Sequence, residues 1–444
     1  MEQLSKNQRI KESLAATREK RKGQECKVVT GKIQHLNTKQ STAIAMQFIE
    51  AKWLVNEMLN FGESNKIYEY KPSKQVIHKD RDGNDVISDY QFLGSQMKQA
   101  LVAELLSNIK TLASLKKKGK KVGKIKFKKR VTSINLKQYG VTYRIVDRNH
   151  IRIQGIKGNI RIHGLDGLFN KHGKVKKHVD IANAKLIVNA SGYYLAVTYF
   201  VPKEFKAPKT KKLGIDLGCS TTLTTSDGRK LNISVEETDR IKRLQRKLTR
   251  QQKGSNNRYK TKQLLKKEYI KLNNKKENAA NQIVAGLMKE YEIYLQDEQL
   301  INWQKTGHGK AISHSILGRL KSKFISKGAK VVGKWVATTR TCACCGHKNP
   351  KQELWVRTFV CEDCGFSIDR DVNAANNMIL MYNELVGVER TELTPVESKA
   401  TAISFDSKSS SEKQEGEKRE SLEDKQNLSE AVSPKDQSAK HSAL

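Results

Sequence analysis

Hydrophobic positions change their period several times along this chain. From Asn37-Thr-Lys-Gln40 they recur at helical spacing, with Ile44, Phe48, Trp53 and Leu54 on one face and Asn37 or Thr38 as the N-cap. That helix is expected to run to about Asn60. A polar, glycine-containing stretch to about Asp85 precedes a second helix, Ser88 to Leu115, with Leu93, Met97, Leu101, Leu105 and Ile109 along one seam. Around this pair the period falls to two. Cys26–Gln34 reads as a strand, and so do 132–136, 142–146, 151–154, 160–163, 184–189 and 193–201, punctuated by Gly140, Gly155, Gly158 and Gly192. Short strands in such a series predict a small antiparallel barrel or a strongly twisted sheet. Residues 1–23 carry no apolar stripe and read as a basic arm or frayed helix.

After a linker, Pro202 to Lys212, strands and helices alternate. Leu213-Gly-Ile-Asp216-Leu-Gly is a strand ending in a glycine turn, and Leu223 to Thr225 is a second strand closed by Ser226-Asp-Gly228. Residues 234–290 predict two charged helices broken at Gly254-Ser-Asn-Asn257. Glu292 to Leu295 is a strand, Ile312 to Lys327 an amphipathic helix, Lys330 to Trp335 a strand and Val372 to Glu389 a helix. This order predicts an α/β domain following a β-rich one. Residues 391–444 are rich in Ser, Glu, Lys and Gln with almost no aromatics, and are expected to be disordered.

Charge narrows the partner. Lys and Arg outnumber Asp and Glu by 84 to 46, a formal charge of +38. So large a surplus calls for a polyanion, and nucleic acid is the first candidate. No apolar run approaches a membrane span and no secretory leader is visible, so a cytoplasmic protein without membrane contact is expected. The densest basic run is Lys116 to Arg130. There Ile125 and Phe127 alternate with Lys124, Lys126 and Lys128, which reads as a strand whose lysines contact phosphates; a merely solvated face is the alternative.

The chemistry sits mainly in the second half. Cys342-Ala-Cys-Cys345 and Cys361-Glu-Asp-Cys364 are C-x-x-C pairs 15 residues apart, the spacing of a zinc ribbon. Cys344 competes within the first pair, but Cys342 and Cys345 have the right separation. A site of four thiolates leaves no open position, so Zn²⁺ here is structural. Asp216 stands in an apolar strand, where a lone carboxylate is costly unless it is paired or binds a cation. Glu298 follows a later strand. Asp369 and Asp371 open the last helix, where either could serve as a cap. Carboxylates converging from separate elements of one sheet can hold two divalent ions against a phosphodiester, and oxygen donors suit Mg²⁺ or Mn²⁺.

Gly214-Ile-Asp216-Leu-Gly218, the Gln296-Asp-Glu-Gln-Leu300 to Trp303 segment, the paired C-x-x-C ribbon and Asp369-Arg-Asp371-Val-Asn-Ala-Ala375 occur in this order. In that ordered set the chain resembles TnpB, the transposon-encoded RNA-guided DNA endonuclease family related to type V CRISPR effectors. The likeness extends from Leu213 to about Met381 and more weakly over Cys26 to Lys212. It implies a multidomain α/β plus β fold. A basic arm would occupy 1–23, a wedge β-barrel 24–36 and 116–205, and a helical recognition subdomain 37–115. A RuvC/RNase H-like nuclease domain would occupy 210–340 and 366–390, with the zinc ribbon at 341–365 inserted in it and a disordered tail at 391–444. It implies Asp216, Glu298 and Asp371 as the catalytic, Mg²⁺- or Mn²⁺-binding triad. Asp297 is open as the second acid, because the family's Glu-Asp-Leu run is here Asp297-Glu298-Gln299-Leu300. It also implies a guide RNA from the transposon end, recognition of a short target-adjacent motif, and cleavage of double-stranded DNA at the nucleoid of a prokaryotic cell. Gln96, Lys98 and Gln99 on the second helix could face that motif, an exposed helix surface being the alternative. Two other functions stay open: an RNA-guided repressor on the same scaffold, and a guide-free RuvC-like structure-specific nuclease.

Overall fold

The computed structural model describes residues 5–62, 67–80, 82–204, 207, 209–303, 309–353, 355–387 and 400–401. They fall into two compact units divided between Phe205 and Lys206. The expectation for the tail, 391–444, lies outside the described residues except at Ala400–Thr401.

The first unit opens with helix α1, Lys6–Lys22. Ser5 and Gln8 form a reciprocal capping box, so the expected arm is a regular helix. Its last turn is tethered: Lys20 and Arg21 lie 2.8 and 2.9 Å from Asp180, and the Arg21 guanidinium sits 3.6 Å above the Phe200 ring. Strand β1, Gln24–Gln34, leads to α2, Thr38–Phe61, capped by Asn37 with Gln40 answering three residues on. The polar stretch beyond it holds a hairpin that the apolar pattern did not suggest, β2 (Gln75–Lys79) and β3 (Asp85–Asp89), turning near Gly83 at φ +93°. Helix α3 follows at Ser95–Lys117.

Six more strands complete this unit: β4 Ser133–Leu136, β5 Tyr143–Ile145, β6 His150–Ile153, β7 Ile160–His163, β8 Asp180–Asn189 and β9 Gly192–Pro202. With β1 they form an antiparallel sheet in the order β4-β8-β9-β1-β7-β6-β5. No ladder joins β4 to β5, so the sheet stops short of the expected barrel. Helices α2 and α3 pack their seams on it, Ile44, Leu54, Met58, Met97 and Leu101 sharing one core with Ile134, Leu136, Ile151, Ile160, Leu186 and Leu195. Glu50 is buried in the same unit and is satisfied by accepting from the Gln91, Phe92 and Leu93 N–H groups just ahead of α3. The strand expected around Lys124 to Lys128 is not formed. That stretch is exposed and pairs with no strand, because two apolar side chains among lysines and glycines have nothing to bury against.

The second unit begins with β10 Lys211–Asp216, β11 Leu223–Thr225 and β12 Lys230–Leu231, then α4 Asp239–Arg250 and α5 Asn256–Glu290. Gly254 at φ +91° and the Ser255 N-cap make the break between these helices. Next come β13 Tyr291–Gln296, α6 Leu300–Trp303, α7 Gly309–His314, α8 Leu317–Ser326 and β14 Lys330–Val332. The single helix expected over 312–327 is two, because Ser315 turns the chain by donating to Ile312 O and accepting from Leu317 N–H. The unit ends with β15 Thr358–Val360, β16 Ser367–Asp369, α9 Arg370–Leu385 and β17 Ala400–Thr401.

The main sheet runs β14-β13-β10-β11-β12-β17, with β13 parallel to both β10 and β14, and β11 antiparallel to β10 and β12. Strand alternation divides its two faces. Leu213, Ile215, Ile293 and Leu295 pack on Ala280, Val284, Leu320 and Phe324 of α5 and α8. Gly214 lies against α9, and Tyr294 and Val332 join Met378 and Met381 of that helix.

Candidate active site and metal centre

The four thiols of Cys342, Cys345, Cys361 and Cys364 all lie within 4.8 Å of one another. The Cys342–Cys364 and Cys345–Cys361 sulfur pairs are 3.7 and 3.6 Å apart. A tetrahedral ion with bonds of about 2.3 Å needs edges of about 3.8 Å, so this donor set fits zinc. Knuckle N–H groups support it: His347 N points at Cys345 Sγ and Cys364 N at Cys361 Sγ, each at 3.5 Å. Cys344 stays outside the cluster, as the spacing implied.

The acids come together through close backbone packing. A Cβ on Gly214 would meet the Ala375 carbonyl oxygen at 1.8 Å, so only glycine lets α9 lie so near β10. Ala374 and Ala375 are fully buried at that crossing. Asp371, one turn earlier on α9, is thereby brought towards Asp216, two residues after Gly214. Asp369 takes the capping role, its Oδ1 accepting from the Asp371 and Val372 N–H groups while Oδ2 pairs with Lys230 at 2.6 Å. Asp371 is therefore not used as a cap. Its ion pair with Arg357 is loose, at 3.8 Å.

Burial pushes the Asp216 carboxyl up to about 7, with the charges of Asp371 and Glu298 adding to the shift; Arg370 and a hydrogen bond from Leu217 N–H oppose it. Asp371 and Glu298 thus both stand within electrostatic reach of Asp216. The oxygens of these three acids do not draw within a mutual 4.8 Å, the distance that the thiols reach. Burial also raises Glu298, against the pull of Lys321. Asp297 beside it is exposed and is held by Lys321 at 2.6 Å. Of the two, Glu298 is the more enclosed.

A set of buried amides, not singled out from the sequence, joins the two centres. Asn373 accepts from Ala343 N–H at 3.0 Å and donates to Thr341 O at 2.8 Å, and Asn377 donates to Thr338 O and Thr341 O. Gln296, next to Asp297 and Glu298, donates to Val336 O at 2.7 Å and accepts from Thr338 Oγ1 at 2.9 Å. The stretch leading into Cys342 is thus held by α9, which carries Asp371, and by the end of β13, two residues before Glu298. The visible signal was an Asn pair four apart on a helix of small and apolar residues.

In the first unit, Gln96 bonds Gln138 at 2.9 Å. Lys98 donates to Ser73 O at 2.7 Å and covers the Tyr90 ring at 4.4 Å, and partial burial lowers its pKa. Gln99, Lys124, Lys126 and Lys128 are exposed. No helix among the described residues is long and apolar enough to cross a membrane.

Two family models match the chain, "Cas12f1-like, TNB domain" over residues 314–378 and "Probable transposase" of the IS605 OrfB type over residues 196–294. A Streptomyces pristinaespiralis protein named "Putative RNA-guided DNA endonuclease" is 31% identical, over 38% of this chain and 45% of that protein. An Escherichia coli (strain K12) protein, "Putative RNA-guided DNA endonuclease InsQ", is 26% identical over 39% of this chain and 49% of its own length. The chain spans about half the length of these relatives. The solved mini-RNA-guided endonuclease CRISPR-Cas_phi3 aligns with TM-score 0.45 and 10% identity, over 84% of this chain and 94% of that one. In these matched segments and in its four-cysteine cluster the chain is similar to the TnpB (IS605 OrfB) family.

Proposed function

We propose that the chain is an RNA-guided DNA endonuclease with a RuvC-type nuclease fold, hydrolysing phosphodiesters at Asp216, Glu298 and Asp371. The observation that carries this reading is the charge crowding at Asp216, whose carboxyl is pushed to about 7 with two further acids acting on it from separate elements. Three such groups in a chain of charge +38 are a costly arrangement without cations to relieve it. Their hard oxygen donors fit Mg²⁺ or Mn²⁺. Divalent ions held by these three carboxylates would supply water activation and charge neutralisation at the leaving oxygen.

The chain's own residues hold and orient. Asp216 projects from the central strand, Glu298 from the segment after β13 and Asp371 from the first turn of α9, so three separate elements supply the three acids. Arg357, 3.8 Å from Asp371 and half exposed, can hold a phosphate oxygen beside the acids. The names of the bacterial relatives support a guide RNA, in this reading derived from the transposon end, with the basic surface gripping the backbone of the guide–target duplex. A short target-adjacent motif would then be read by the first unit. There Gln99 is exposed, whereas Gln96 and Lys98 already have protein partners.

The test is purification with co-expressed flanking transposon RNA, then challenge with matched plasmid DNA and Mg²⁺. Cleavage that vanishes in Asp216→Ala while binding persists is the expected result. Binding without cleavage by the unmodified chain indicates a repressor, and cleavage without any RNA indicates a guide-free nuclease.

A further inference from the structure

Two of the chain's four tryptophans are conspicuously unburied. Trp53 stacks on His78 at 3.9 Å, and Trp303 packs at the edge of the second unit's core. Trp335 and Trp355 are 87% and 78% exposed. An indole is the largest apolar side chain and is seldom left in water unless something else covers it.

Both lie on turns fastened to the residues next to the acids. Gln296, two before Glu298, donates to Gly333 O and Val336 O on either side of Trp335. Arg370, directly before Asp371, donates from its guanidinium to Glu353 O at 2.9 Å and from its N–H to Arg357 O at 2.8 Å, bracketing Trp355. The indoles are therefore presented by pinned backbone. Their surroundings are mainly cationic: Lys334 Nζ is 4.2 Å from the Trp335 ring centre, and exposed Lys351 and Arg357 flank Trp355, with Glu353 the opposing charge. A flat aromatic face beside a cation matches a base and its phosphate, and stacking of this kind accepts any base that is not paired.

We propose that Trp335 and Trp355 are stacking platforms for unpaired bases of a nucleic-acid strand at the acidic site. This deepens the nuclease reading and rests on it for the strand's destination, but binding is measurable without cleavage. The probe is a 12-nucleotide single strand, oligo-dT or oligo-rU, titrated into the full zinc-loaded chain without divalent ions while tryptophan fluorescence is followed. Stacking predicts quenching, and a roughly tenfold loss of affinity for each of Trp335→Ala and Trp355→Ala. Trp→Phe at the same positions should retain affinity within about threefold, since a ring face remains. The salt dependence of binding should not change, because no phosphate contact is removed. Quenching by either sugar type supports the proposal, and the tighter one names the strand. The proposal is overturned if the alanine variants bind single strands like the unmodified chain, or lose affinity for a blunt duplex to the same extent. It fails separately from the nuclease reading: intact cleavage with unaltered strand binding in both alanine variants removes only the platforms.

Discussion

The substitution Asp216→Asn keeps the side-chain shape and an acceptor for the Leu217 N–H while removing the charge. In the unfolded chain an Asp carboxyl titrates near 4. In the fold it titrates at about 7, raised by burial, Asp371 and Glu298. A raised acid holds its proton in the fold at pH values where the unfolded chain has lost it. Its favourable contribution is therefore complete below about pH 4 and is lost as the pH climbs through 7. The slope is about 1.4 kcal/mol per pH unit, so from pH 5 to pH 8 the unmodified chain should lose on the order of 3 kcal/mol relative to Asp216→Asn. For a unit of this size that is a melting difference of roughly 5–10 °C. The assay is urea or thermal unfolding at both pH values, with zinc retained and no Mg²⁺. Adding Mg²⁺ at pH 8 should then stabilise the unmodified chain and leave the variant nearly unmoved. An Asp216→Asn offset equal at pH 5 and pH 8, or equal Mg²⁺ stabilisation of both proteins, would refute the claim that Asp216 is crowded by its acidic neighbours.

Glu298→Gln should abolish plasmid cleavage while Asp297→Asn keeps it within a few-fold, because Asp297 is exposed and held by Lys321; the reverse order would make Asp297 the second acid. Gly214→Ala should cost about 3 kcal/mol or more in urea unfolding, since its Cβ would meet the Ala375 carbonyl at 1.8 Å, and cleavage should fall with it. A variant as stable as its parent would mean that the α9 crossing relaxes freely. Cys361→Ser should lower zinc content by metal analysis and the melting temperature together, whereas Cys344→Ser should change neither, as only Cys361 belongs to the cluster.

What could be read from the sequence was whatever carries a pattern or a high price. Asp216 stood out because a carboxylate amid Leu213, Ile215 and Leu217 demands a reason. The ribbon stood out because thiols at knuckle spacing have few other uses. The strands of the first unit were legible because their apolar period of two is real burial, and Asn37 with Gln40 announced a helix start that the structure closes with reciprocal hydrogen bonds. Other features were hidden for physical reasons. The β2–β3 hairpin buries Val76 but leaves Ile77 and Ile87 exposed, so its alternation is too short to recognise. The break at Ser315 interrupts hydrogen bonding but not the apolar spacing, since Ile312, Ile316 and Leu320 continue across it. At Lys124 to Lys128 the opposite held: alternation was present with nothing to pack against.

The amide clamp explains why the ribbon and the acids travel together in one sequence. Asn373 and Asn377 have their side chains committed to the stretch from Thr338 to Ala343, and Gln296 holds the turn just before it. Each is essentially buried, so losing a partner strands a polar group at a cost of about 1–3 kcal/mol. The ribbon's entry segment cannot move without stranding at least one of them; Asn373 and Asn377 share α9 with Asp371, and Gln296 ends β13 two residues before Glu298. A structural zinc that performs no chemistry can in this way set the position of the acids. On these grounds Asn377→Leu, which removes the donor but keeps the volume, should loosen the ribbon at unchanged zinc content. It should also shift the pH dependence of Asp216, because it moves Asp371 relative to its neighbour without altering any charge.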